Sequence, residues 1–325
     1  MKVASLTPIR YSYKEDGSLS RDMDRIKNHI VSLKKQIKKD YDLDIYIGDG
    51  SRDVSIQDKI KKICKDYGAR YLTLRRRDFF NRGLLINDMF KMIDPCDSVL
   101  LLDLDLLLDP SLINMFFEKQ RISNYKILLA GINFLKIYKI EEDPWTFDVT
   151  KDLFKHQIVE EIRRFRTANG LQFIKYSDYK QFGGLDVNFN IYCGTDDEIL
   201  YRFNRKGPGL SGIPNRAEFC INTLDRPIAF HLNHDSGTLK INKTKEDPKD
   251  RFIKNLVCKV NRHYLYNFLS KGKFKIQKNL SLEKNYMCKE NGKIFWGNEK
   301  EELIPFEKIN ANLIIKEYIK NSLKE

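Results

Sequence analysis

No two of the six cysteines, at 64, 96, 193, 220, 258 and 288, stand in a C-x-x-C pair or at the spacing of a Cys/His finger. A disulfide framework and a structural zinc site are therefore not part of this chain's design, and the thiols are expected to be reduced. No apolar run approaches the roughly 18 residues of a membrane span, and "MKVASLTPIR" reads as a strand entering a loop rather than as a basic, apolar leader. Cytoplasmic localisation is expected. Acidic residues are missing altogether from Arg251 to Leu280, which holds eight Lys and Arg. What is present is ordinary for a globular protein: 325 residues, 42% hydrophobic and 32% charged, enough for one large α/β domain, alone or with an appendage.

The net charge of +13 is uneven, with Lys240 to Glu325 contributing 20 Lys and Arg against 11 Asp and Glu. An anionic partner is expected for that end, centred on 250–280. Upstream, strands and helices alternate. Val3–Leu6 reads as a strand, and Ser20 as the N-cap of a helix whose Met23, Ile26, Ile30, Leu33 and Ile37 recur at helical spacing, with a lysine-rich outer face. "LDIYIGDGSRD" from Leu43 is a second strand ending in a Gly-rich turn. The helix after it (Ile56, Ile60, Ile63, Cys64, Tyr67) stops at Gly68, the expected C-cap residue. "ARYLTL" from Ala69 is a third strand, "NRGLLINDMFKMI" from Asn81 a third helix, and "SVLLLDLDLLLDP", 98–110, a fourth strand. Alternation of this kind predicts a mostly parallel sheet with helices on both faces and ligands at the carboxyl ends of the strands.

Acidic residues fall at those ends. Asp49 closes the second strand, Asp103 and Asp105 lie towards the end of the fourth, and Thr7, Pro8 and Arg10 follow the first. Carboxylates at i and i+2 of a strand point to the same side. Unpaired among seven leucines, each would cost several kcal/mol or be driven to protonate. A hard divalent cation, Mg²⁺ or Mn²⁺, resolves that conflict, because such ions are held through one or two carboxylates while substrate phosphates complete the shell. The alternative is a turn-capping role, and Asp109 is read that way, as N-cap of the next helix with Pro110 at its first position.

Three stretches taken together carry a resemblance. "IGDGSRD" looks like the uridine-contacting turn of GT-A-fold glycosyltransferases, "FNRGLLIN" resembles the stretch before their metal-binding strand, and "LLLDLDLLLDP" is similar to their Asp-x-Asp strand, in the same order. The likeness is to family 2 and its relatives. "FGGLDVNFNIYCGTDDEILYRF", 182–203, resembles the acceptor-side segment of the chondroitin-polymerase and β-galactosyltransferase branch. Matched by position, Asp196 falls on that family's catalytic Asp, Glu198 on its last acid and Arg202 on its Arg, whereas Thr195 stands where the family has Glu. An acidic helix N-terminus facing the macrodipole is the plainer account of the same residues. "PIAFHLNHDSG", 227–237, resembles the family's His-x-x-His segment, with His231 as metal ligand and His234 as the other candidate.

The resemblance implies a GT-A catalytic domain over 1–237 and a metal-dependent, inverting glycosyltransferase. Its donor would be a nucleotide-sugar, with uridine diphosphate expected, and its acceptor a hydroxyl of a glycan or other polymer. Asp105 and His231 would hold Mn²⁺ or Mg²⁺, and Asp103 would touch the ribose or support the metal shell. Asp196 would be the base, with Asp197 and Glu198 toward the acceptor. Asp49 and Thr7, Pro8 and Arg10 would hold base and ribose. Asn81 and Arg82, with one of Arg75 to Arg77, would serve the diphosphate.

From 238 to 325 the resemblance ends, leaving a basic, mainly helical extension. Phe252, Leu256, Val260, Tyr264 and Phe268 recur at four-residue steps, giving a helix over 250–272 with a wholly basic polar face. Beyond it, "NGKIFWGNEKEELIPF" suggests a hairpin or loop, followed by a terminal helix. Packing on the catalytic domain, an anionic membrane surface and a nucleic acid all suit the basic helix. Two further functions stay open: a glycosyltransferase acting on hydroxylated bases in DNA, and a non-catalytic basic binding protein. A nucleotidyltransferase is disfavoured, since "TPIRYSYKEDGSLS" holds one Gly and one Arg where a phosphate loop needs several.

Overall fold

The computed structural model describes residues 1–13, 17–20, 22–36, 40–75, 80–134, 143–146, 167–187, 195–204, 220–221, 229–232, 285–290, 293–298 and 303–305. The chain divides into two compact units, one of 1–76, 88–179 and 215–234, the other of 77–87, 180–214 and 235–325.

The first unit is built on a seven-stranded sheet. Its strands are β1 (Lys2–Ile9), β2 (Asp42–Asp49), β3 (Arg70–Thr73), β4 (Ser98–Leu102), β6 (Ile127–Gly131), β8 (Thr167–Lys175) and β9 (Cys220–Ile221), in the order β3-β2-β1-β4-β8-β6-β9. β1 pairs in parallel with β2 and β4, β2 with β3, and β6 with β9; β8 alone runs antiparallel, between β4 and β6. The expected mostly parallel sheet is thus present, with one reversed strand that periodicity could not announce. A second, three-stranded sheet holds β5 (Leu106–Leu108), β10 (Ala229–His231) and β7 (Asn133–Phe134) in the order β5-β10-β7.

Helices cover both faces. On one face Thr7 of β1 meets His29 of α1 (Asp24–Lys34). On that face too, Phe173 of β8 stacks with Phe116 of α4 (Leu112–Ile122), ring centroids 5.0 Å apart. Gly48 pairs with Pro8, the next residue along from Thr7, so it faces the opposite side. There a Cβ on Gly48 would meet Met89 Sδ at 2.5 Å, so the last turn of α3 (Arg82–Met92), from Asp88 on, lies against the sheet through a gap only glycine leaves. β4 is buried from end to end. Each fully buried Leu of this kind contributes about 1.5–3 kcal/mol.

Several sequence expectations are corrected. β1 runs on through Ile9, so Thr7 and Pro8 lie within the strand rather than after it. Ser20 does not cap α1: it pairs with Ser12, whose N–H donates to Ser20 Oγ at 3.1 Å, and Asp22 accepts from Asp24 N instead. α1 is not amphipathic in the simple sense, because Arg25, Asn28, His29 and Ser32 are buried beside its apolar residues. Asp109 makes the capping bond expected of it, Oδ1 accepting from Ser111 N at 2.8 Å, although the regular turns of α4 begin only after Ser111, which makes no side-chain cap of its own. α2 (Val54–Tyr67) follows expectation, closing on Gly68 at φ 69°, with Asp53 accepting from Ser55 N and Ile56 N at its start.

In the second unit Asn87 and Leu185 exchange two hydrogen bonds, Asn87 Nδ2 to Leu185 O at 2.7 Å and Leu185 N to Asn87 Oδ1 at 2.9 Å, a side chain imitating a strand partner. α6 (Thr195–Asn204) carries Arg202, whose guanidinium donates to the carbonyls of Phe182 and Gly184. Gly183 and Gly184 both have positive φ, 78° and 81°, so this turn is closed to most other residues. The described parts of the basic extension are strands. β11 (Asn285–Glu290), β12 (Lys293–Asn298) and β13 (Leu303–Pro305) form an antiparallel sheet. The helices expected over 250–272 and at the end of the chain lie outside the described residues.

Candidate active site

The leucine-rich stretch is not one strand. β4 ends at Leu102 and β5 begins at Leu106, in different sheets. Between them Leu106 N donates to Asp103 O at 3.4 Å, closing a turn with Asp103 first and Asp105 third. The expectation of two carboxylates on one side of a strand is therefore corrected: the backbone reverses its pairing partners between them, so each is set by different neighbours.

Three elements pin this turn. Asp103 N donates to Gly170 O of β8 at 2.8 Å, and Leu232 N, just after β10, donates to Asp105 O at 2.8 Å. From α1, His29 reaches Leu106 O through Nδ1 at 3.1 Å. A carbonyl oxygen only accepts, so Nδ1 carries the ring proton; Nε2 then accepts from Thr7 Oγ1 at 2.8 Å. Complete burial holds the imidazole neutral, lowering its pKa to about 4 against the upward pull of the Leu106 carbonyl and of Asp105 and Asp103.

His231, 126 positions beyond Asp105 in sequence, is brought beside it, Nε2 to Oδ2 at 3.4 Å. Asp105 is 5% exposed. Two donors on one octahedral ion, each about 2.1 Å from it at a right angle, stand about 3 Å apart, so the pair fits a shared divalent cation. Among the described residues no group of three or more His, Cys, Asp or Glu side chains is arranged to hold a metal. Asp103 packs against Gly170, where an added Cβ would stand 2.3 Å from Oδ2.

The remaining expected residues are distributed as follows. Asp49 is fully buried, with Oδ1 accepting from Ser51 N at 2.8 Å and Oδ2 from Tyr71 Oη at 3.0 Å. It braces the turn instead of presenting a free carboxylate. Burial, followed by the Asp49 charge, pushes the Tyr71 hydroxyl and the Cys64 thiol upward, the latter to about 12. The Thr7 side chain is likewise buried, turned to His29. Pro8 is buried, and Arg10 is partly exposed just past β1. Asn81 caps α3, accepting from Leu84 N at 3.0 Å and donating to Val187 O at 2.7 Å. Arg82 opens that helix, half-buried. Arg75 is held by Asp88 through two contacts, at 2.5 and 2.6 Å. Asp196, Asp197 and Glu198 lie in the first turn of α6. Arg76, Arg77, His234 and 250–280 lie outside the described residues.

Sequence reasoning missed His29 and Gly170. A signal for the first existed: His29, Ser32 and Gln36 recur at three- and four-residue steps along α1 and just past its end, a polar stripe beside the apolar one. For Gly170 there was none, since its partner lies in another strand.

No protein-family model matches the chain, and no characterised protein matches it in sequence. Among solved structures it is similar to the mannosyltransferase PcManGT from Pyrobaculum calidifontis in complex with GDP-Man and Mn²⁺, at 11% identity and TM-score 0.43. That match covers 81% of this chain and 61% of the other. It is also similar to S. aureus TarS 1-349 in complex with UDP, at 11% identity and TM-score 0.42, covering 95% and 100% of the two chains. A third likeness is to the catalytic domain of Drosophila β1,4-galactosyltransferase 7 in complex with xylobiose, at 14% identity and TM-score 0.40, covering 96% and 97%. None of these likenesses bears on a residue assignment. No helix among the described residues is long and apolar enough to cross a membrane.

Proposed function

We propose that the protein is a metal-dependent, inverting glycosyltransferase of GT-A type. It would move a sugar from a nucleotide-sugar, with UDP as the expected carrier, to a hydroxyl of a glycan or other polymer in the cytoplasm. The observation that carries this reading is the approach of His231 Nε2 to Asp105 Oδ2, at 3.4 Å, at the turn that follows β4. A divalent cation between them would neutralise charge growing on the leaving diphosphate. Asp103, on the other arm of the turn, orients the ribose. Asp196 accepts the proton of the acceptor hydroxyl as that oxygen attacks the anomeric carbon from the side opposite the diphosphate, which inverts the configuration. Asp197 and Glu198 orient the acceptor, and Arg82 supplies a guanidinium suited to phosphate oxygens. Asp49 and Thr7 act indirectly, by fixing the strand ends around the nucleoside.

The catalytic domain is taken as 1–237 and the basic extension as 238–325. The excess of Lys and Arg in that extension favours a polyanionic partner. Transfer to hydroxylated bases in DNA is the second reading, and it predicts DNA retention that falls steeply with salt.

The experiment is hydrolysis of UDP-sugars by the purified protein with and without Mn²⁺, repeated with Asp105→Asn, His231→Gln and Asp196→Asn. Mn²⁺-dependent turnover lost in Asp105→Asn and Asp196→Asn supports the assignment. Full activity in both removes it.

A further inference from the structure

α1 and the turn that follows it present a buried polar ladder to β5. His29, Ser32 and Gln36 are 0%, 4% and 4% exposed. His29 Nδ1 donates to Leu106 O at 3.1 Å, Ser32 Oγ accepts from Leu108 N at 2.7 Å, and Gln36 Nε2 donates to Asp109 O at 2.9 Å. Gln36 Oε1 also accepts from Ile113 N at 3.3 Å, at the start of α4. β5 is the terminal strand of its sheet, paired to β10 on its other side, where Leu106 faces His231 and Leu108 faces Ala229. The helix therefore stands where a neighbouring strand would be, and its side chains satisfy backbone groups that would otherwise be buried without partners.

We infer that His29 is a positioning residue for the Asp105–His231 pair: it fixes Leu106, the residue after Asp105, and so sets where the Asp105 carboxylate meets the imidazole. The inference rests on the metal-site reading above only for its consequence in metal affinity. The ladder has three rungs, but Ser32 and Gln36 hold residues farther along β5 and beyond it. His29 alone grips the closing residue of the turn. Its second bond, to Thr7 Oγ1, ties that turn to β1. One ring thus couples the two strand ends that border the site, β1 and the β4–β5 turn. Groups that orient a metal ligand typically alter metal affinity by about 10- to 100-fold when removed.

The two ring nitrogens give a discriminating test. Asparagine places an amide N–H near the position of Nδ1, and glutamine places a polar atom near that of Nε2. His29→Asn should keep the bond to Leu106, His29→Gln should keep only the bond to Thr7, and His29→Leu neither. The first readout needs no metal: hydrogen exchange at the Leu232 amide, which donates to Asp105 O, relative to the Val99 amide in β4. His29→Gln and His29→Leu are expected to accelerate Leu232 by about tenfold or more while His29→Asn stays near wild type, since opening is local to the turn. The second is Mn²⁺ affinity by titration calorimetry, expected to fall about tenfold in the same two variants. Equal exchange ratios in all three variants and wild type, or equal losses in His29→Asn and His29→Gln, overturn the positioning role. Absence of Mn²⁺ binding by the wild-type protein overturns the metal-site reading, and the Leu232 measurement then decides the inference alone.

Discussion

Asp103 rests its carboxylate on the backbone of Gly170, so near that a Cβ built there would stand 2.3 Å from Oδ2 and 2.7 Å from Cγ. The absent side chain at 170 is therefore part of what shapes the carboxylate's position, although the glycine lies 67 residues away in sequence.

Gly170→Ala is expected to push Asp103 off its seat while leaving the fold intact. Misplacement of a binding group by about 1 Å can cost about 100-fold in rate, so UDP-sugar hydrolysis should fall by one to two orders of magnitude, roughly. Activity and thermal melting measured side by side check this. A melt near that of the wild type with unchanged turnover would show that Asp103 has no role set by Gly170.

Stability should fall in mildly acidic solution because of His29. Its folded pKa, about 4, lies below its ordinary value of 6.5. Between those values the unfolded chain binds a proton that the folded chain refuses. The neutral ring's contribution is whole above pH 6.5 and is lost as pH falls toward 4. Going from pH 7.5 to pH 5 should remove about 2 kcal/mol on this account. Urea unfolding of wild type and His29→Asn at both pH values isolates the effect. The difference between the two proteins should shift by that amount; a constant difference would mean the ring is not held neutral.

Arg202→Lys should weaken the second unit. The guanidinium bonds two carbonyls, those of Phe182 and Gly184, and lies 5.1 Å from the centre of the Phe203 ring. A lysine is a point donor without the planar fork. Loss of one such charged hydrogen bond in a buried site costs about 1.5–3 kcal/mol. Limited proteolysis should show faster cutting near Gly183 and Gly184 in Arg202→Lys than in the wild type; equal cutting rates would refute the clamp.

How much of this was legible beforehand depended on range. α2 could be read closely because its start, apolar spacing and Gly68 stop are all local. That β1, β2, β3 and β4 pair in parallel followed from alternation; their order β3-β2-β1-β4 did not. What local pattern could not reveal was the break at Asp103–Asp105, because both halves of the stretch are apolar enough to be buried in any sheet. The change of sheet is dictated by β8 and β10, contributed by residues far downstream. α1 misled for a related reason. His29, Ser32 and Gln36 have the spacing of a solvent-facing stripe, and only the presence of β5 turns them inward. Asp49 and Asn81 were singled out as polar residues in ligand-facing turns. Their side chains close those turns, a use that sequence cannot separate from ligand contact.

The ladder on α1 also bears on how the molecule behaves among its own copies. A terminal strand normally offers a row of open amides and carbonyls to any extended chain that drifts by. At Leu106 and Leu108 that row is already occupied by an imidazole and a hydroxyl, which give an incoming strand nothing to extend. The same side chains that frame the carboxylate thus discourage sheet-to-sheet aggregation along β5, and stripping them away would expose a sticky border as well as loosen a turn.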